Sequence, residues 1–228
     1  MQSFYSNNLL KPVLPVGFYA LHVKSLSIPP IRQEPGVTGI CEQILTACSG
    51  VENLMIFTST SFLESPNAWR RLRRLTTTLT NLCVYGPGDG SRRGGLNIWP
   101  FDHACFVNLT HLHLYDDDED WPNYRGWENL RSLTHLALAC SGPPATVAFL
   151  WRKLPSLSYM AFGSHKDEKG WTSIKNDPHI LAAWPKRVVF LRHLPNSDWD
   201  SGARGGRDMW AIVEREVARR LSQEAGRA

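Results

Sequence analysis

One short word recurs along this chain: an apolar residue, two variable positions, a large apolar residue, one variable position, and another apolar residue. It reads Val23-x-x-Leu26-x-Ile28, Val51-x-x-Leu54-x-Ile56 and Leu79-x-x-Leu82-x-Val84 in the first part of the chain. It continues as Leu109-x-x-Leu112-x-Leu114, Leu133-x-x-Leu136-x-Leu138 and Leu157-x-x-Met160-x-Phe162, with a reduced seventh copy at Val188-x-Phe190. Adjacent copies share whole phrases, Asn108-Leu-Thr-His-Leu-His-Leu and Ser132-Leu-Thr-His-Leu-Ala-Leu. The interval is roughly 24–30 residues, within or just beyond the roughly 20–29 residues of leucine-rich repeats.

The word has a physical reading. Residues two apart share one face of a strand, so the central and last apolar positions enter a core while their neighbours face away. One such strand cannot bury its apolar side alone, whereas a stack of copies in a parallel sheet can. Segments with helical spacing separate the copies: Ile40 to Cys48 followed by Gly50, Ala68 to Leu75, Thr146 to Leu154, and Pro178 to Trp184. The connection from Gly86 to Phe106 is rich in Gly and Pro. That from Asp116 to Trp127 reads as loop, with one turn around Trp127 to Leu130. The position that carries Asn in the best-known repeat subclass holds Ser59, Pro87, Asp117, Ser141 and His165, so no asparagine ladder is expected.

Met209, Trp210, Val213, Val217 and Leu221 then recur at helical intervals after Gly205-Gly206, and the tail reads as a helix capping the last strand. The expected fold is α/β: an irregular leucine-rich-repeat solenoid with parallel strands on the concave face, short helices and loops on the convex face, and a C-terminal capping helix. Its parts are an N-terminal segment (1–22), the solenoid (23–195), and a linker with the capping helix (196–228).

Composition excludes several classes. The chain of 228 residues has a net charge of +4, too mild to imply nucleic acid, and its basic and acidic runs lie apart. Five cysteines, with no C-x-x-C pair, read as buried thiols in a reducing compartment, so the expected location is intracellular, cytoplasmic or nuclear. Pro15 and Gly17 interrupt the early apolar residues, and no apolar run is long enough to span a bilayer. No G-x-S-x-G, H-E-x-x-H or phosphate-cradling loop occurs, so no catalytic residue and no cofactor is implied.

Four segments carry a family resemblance: Ile44-Leu-Thr-Ala-Cys-Ser-Gly-Val-Glu-Asn-Leu, Phe106-Val-Asn-Leu-Thr-His-Leu, Leu154-Pro-Ser-Leu and Ala203-Arg-Gly-Gly-Arg-Asp-Met-Trp. With the repeats, they make residues 23–219 resemble the leucine-rich-repeat region of fungal F-box-like proteins. The resemblance implies a substrate-recognition part of a ubiquitin ligase adaptor. The first 22 residues contain no F-box, so cullin–RING components follow as partners only if an F-box lies outside the present sequence. The alternative is a repeat-only structural or degenerate relative without a ligase role.

The expected site is the outward-facing side of the strands, where a protein partner would bind. Asn53, Asn81, His111, His135 and Tyr159 precede the central residues. Phe57, Tyr85 and Tyr115 follow the last apolar ones, and His113 alternates with Leu112 and Leu114. Aromatic and polar mixing suits protein recognition. His103, Cys105, His111 and His113 lack a recognised zinc spacing, and the run from Asp116 to Asp120 lacks the glycine and alternation of a calcium loop, so no metal is expected. Arg70, Arg71, Arg73 and Arg74 read as a solvated basic face.

Overall fold

The computed structural model describes residues 14–15, 17–28, 37–56, 71–77, 101, 104–114, 126–138, 144–163, 187–191, 201–202 and 206–226. Among the described residues, seven strands form one all-parallel sheet whose spatial order is their sequence order. They are β1 (Ser25–Ile28), β2 (Asn53–Ile56), β3 (Arg74–Thr77), β4 (His111–Leu114), β5 (His135–Leu138), β6 (Tyr159–Gly163) and β7 (Val188–Leu191). Parallel neighbours in sequence order require crossover connections. Described parts of those returns include helices α2 (Val37–Ala47) and α3 (Pro144–Lys153) and single 3₁₀ turns at Ala104–Phe106 and Trp127–Asn129. A short helix α1 (Phe18–His22) precedes β1, and α4 (Met209–Ala225) closes the chain.

The register follows the repeat. Leu26, Leu54, Leu75, Leu112, Leu136, Met160 and Val188 stand side by side across the sheet. The repeated unit extends upstream of the word read in the sequence. Leu109, Leu133 and Leu157 donate their amides to the carbonyls of Phe106, Leu130 and Leu154, and Val51 does the same to Cys48. These four acceptor residues are buried, so the full unit begins three residues earlier with another apolar anchor. After that turn, one carbonyl of each unit accepts two amides of the next. Lys24, Glu52, Arg73, Thr110 and Thr134 serve successively, so the backbone entering each strand is satisfied by its neighbour.

The third unit differs from the sequence expectation. Leu72-x-x-Leu75-x-Thr77 and Leu79-x-x-Leu82-x-Val84 are two versions of the word seven residues apart. The second has the better apolar ending, but the chain uses the first, and Ala68 to Leu75 is not a helix through its end. The β-branched threonines suit a strand, and this choice brings Arg74 to within 2.7 Å of Asp208. The row beside Asn53 and His111 therefore holds Arg74 and not Asn81.

The main core lies between the sheet and its return segments. It joins the strand residues to Ile44 and Leu45 of α2, Cys48 in the turn after it, Val147 and Leu150 of α3, and the Phe101–Phe106–Trp127 ring cluster. A second apolar cluster lies on the opposite face: Ala137, Ala161 and Val189 of the sheet against Met209, Trp210, Val213 and Val217 of α4. The C-terminal helix therefore packs across the outward face of the last strands, and Arg220 donates to the Val188 carbonyl at 2.8 Å. Leu221, expected on the apolar side, is 45% exposed.

Gly50 is buried, and a Cβ there would lie 1.7 Å from the Ala20 carbonyl oxygen of α1. Backbone cannot yield as a side-chain tip can. Gly50→Ala is therefore expected to cost about 2–3 kcal/mol, as overpacking does, read as a lower urea midpoint at unchanged slope.

Candidate functional site

The side chains most concentrated in polar and aromatic chemistry lie where the outward rungs of β3 to β6 meet the start of α4. Parallel in-register pairing sets Arg74, His111, His135 and Tyr159 in one row. Strand spacing of about 4.8 Å favours ring stacking along such a row. His111 and His135 stack at 4.0 Å with planes 9° apart, and His135 stacks on Tyr159 at 4.4 Å and 18°. Trp210 meets both imidazoles edge-on, at 5.1 Å and 5.6 Å.

Hydrogen bonding fixes the imidazole tautomers. Thr110 Oγ1 donates its single hydrogen to the Arg73 carbonyl at 3.0 Å, so its remaining contact must be as acceptor from His111 Nδ1–H, 2.8 Å away. Thr134 Oγ1 likewise donates to the Thr110 carbonyl at 3.1 Å and accepts from His135 Nδ1–H at 2.7 Å. Both Nε2 atoms are therefore bare lone pairs, and both are buried without a hydrogen-bond partner. Glu214 Oε1 lies 3.0 Å from His135 Nε2. With no proton between them, that approach sets acceptor against acceptor, not an ion pair.

Burial, the charge of His135 and the nearby Arg74 guanidinium push His111 down to about 3. Burial and then Arg74 push His135 down to about 4, with Asp208 opposing. Both rings are consequently neutral at ordinary pH. Asp208 holds the assembly together: its Oδ1 accepts the Ala211 amide at 2.9 Å as the N-cap of α4, while Oδ2 takes Arg74 Nη1 at 2.7 Å.

The structure gathers His111, His135 and Tyr159 as the sequence placed them, in one row with Asn53, whose amide donates to Ser25 Oγ at 3.0 Å. His135 is only 6% exposed, because α4 covers it. His113 belongs to the next row, buried between Thr76 and Ala137. Phe57, Asn81, Tyr85 and Tyr115 lie outside the described residues, as do His103, the acidic run at 116–120 and the helical candidate at 178–184. Cys105 is buried on a 3₁₀ turn in the main core, and burial pushes its thiol up to about 12. Sequence reasoning missed Arg74, Asp208 and Glu214. The available signals were Asp208 directly before a helical stripe, and Glu214 four residues after Trp210 on the same helix side.

Among the described residues, no helix is long and apolar enough to cross a membrane. No protein-family model, curated protein or solved structure matches this chain.

Proposed function

We propose that the chain is a non-catalytic protein-binding module of leucine-rich-repeat type, recognising its partner on the outward sheet face beside α4. The observation that carries this reading is the seven-strand parallel sheet in sequence order with one common register. Such a sheet offers successive rungs as an extended recognition surface. Since α4 occupies the face of the last strands, the partner is assigned to the other end. There Ser25, Ser27 and Asn53 are polar and only half-buried. The finer reading, substrate recognition within an F-box-type ubiquitin ligase adaptor, rests on the sequence resemblance. It requires an F-box outside this sequence.

One observation favours a repeat-only structural role: Met55 and Thr76, on the adjacent row of the same face, are buried. Proximity labelling with the wild type and with the double variant Ser27→Arg, Asn53→Ala separates the two readings. A recognition module loses its labelled partners in the variant at equal abundance and equal thermal midpoint. An unchanged partner set removes this face from consideration and leaves the structural role.

A further inference from the structure

We propose that His111 Nε2, His135 Nε2 and the Glu214 carboxylate form a binding site for one divalent transition-metal ion, with zinc the best fit. One ligand atom from each of the three residues lies within 4.8 Å of those of the other two. They come from two adjacent strands and the helix packed over them, so the ion would tie α4 to the sheet. Two features besides proximity point to a cation. Both imidazoles are held as Nδ1–H tautomers by Thr110 and Thr134, which leaves two lone pairs buried with no hydrogen-bond partner. One of them, on a residue only 6% exposed, faces a carboxylate oxygen at 3.0 Å. Two acceptors in contact repel unless a positive centre sits between them.

The donor set selects the ion. Two neutral imidazoles and one carboxylate suit zinc and its first-row neighbours and give too few oxygens for calcium or magnesium. The second shell is already in place, since each ligating ring donates its other N–H to a threonine hydroxyl. Arg74 opposes a cation nearby, but Asp208 neutralises it at 2.7 Å. The stacked rings lie 9° from parallel, so their lone pairs lie in nearly parallel planes. Zinc accepts nitrogen along the ring plane at about 2.0–2.1 Å. Binding therefore tilts one imidazole about its Cβ–Cγ bond, reducing its overlap with the other ring.

The test uses the full chain after chelator treatment, titrated with Zn²⁺ by calorimetry and with Co²⁺ by visible absorption. The expected result is one saturable ion per chain and cobalt d–d bands without thiolate charge transfer. Glu214→Gln should weaken both metals by about tenfold or more, comparable to losses seen on disturbing metal shells. The Glu214 side chain is 49% exposed and faces a bare lone pair, so the metal-free variant should keep or raise its thermal midpoint. Thr134→Val, which removes the acceptor for His135 Nδ1–H, should weaken binding in the same direction. Absence of saturable binding overturns the proposal. So does an affinity unchanged by Glu214→Gln, or cobalt charge-transfer bands that place the ion on cysteine thiolates.

Discussion

Trp210→Ala is expected to release the C-terminal helix from the sheet at a cost of about 3–5 kcal/mol, the range for removing a buried Trp, while the seven strands stay folded. Trp210 is the largest member of the cluster under α4 and touches both stacked imidazoles. That cluster shares no residue with the main core on the other side of the sheet. Elements held by separate cores can open separately. Hydrogen exchange measures this directly: amides of Met209–Ala225 should exchange much faster in the variant, and those of β4 and β5 should keep their protection. If helix and strand amides accelerate together, α4 and the sheet are one cooperative unit and the two-core reading fails. Asp208 sharpens the expectation, because its cap and its Arg74 contact remain in the variant and hold only the helix start.

The stack was legible because its cause is local. Each copy of the word carries its own alternation of buried and outward residues, so β1, β2, β4, β5, β6 and β7 can be placed on sight of Leu26, Leu54, Leu112, Leu136, Met160 and Val188. The third copy misled because Thr77 replaces the last apolar residue and a more apolar version follows seven residues later. What favours Arg74–Thr77 includes an ion pair to Asp208, 134 residues away, which no local pattern contains. The same limit hid much of the candidate site. His111 and His135 announce themselves in two matching phrases, yet Glu214 and Trp210 reach them only because α4 folds back over the face. The apolar stripe of α4 showed that the helix needed a surface to cover. It did not distinguish the open end of the sheet from its outward side.

Lowering the pH of the metal-free protein from 6.5 to 4 is expected to remove roughly 3–5 kcal/mol of stability through the two stacked histidines, at about 1.4 kcal/mol per pKa unit. In the unfolded chain both rings bind a proton near the ordinary value of 6.5, whereas in the folded chain they resist protonation until about 4 for His135 and about 3 for His111. Between these values the unfolded state holds more protons, so stability rises with pH there. It is fully present above 6.5 and lost as the pH falls through the folded values. The two losses are not independent, because the charge on His135 is one of the causes holding His111 down. The other charges facing the pair set the shape of the curve. Arg74 opposes protonation, while Asp208 assists it at His135, and Glu214, 3.0 Å from His135 Nε2, becomes its ion-pair partner once that ring is charged. Urea unfolding at successive pH values reads the slope. His135→Gln should flatten it over this window. A wild-type slope no steeper than that of His135→Gln would mean that His135 titrates alike in the folded and unfolded chain. The shielding of its Nε2 beneath Trp210 and α4 would then have no energetic consequence.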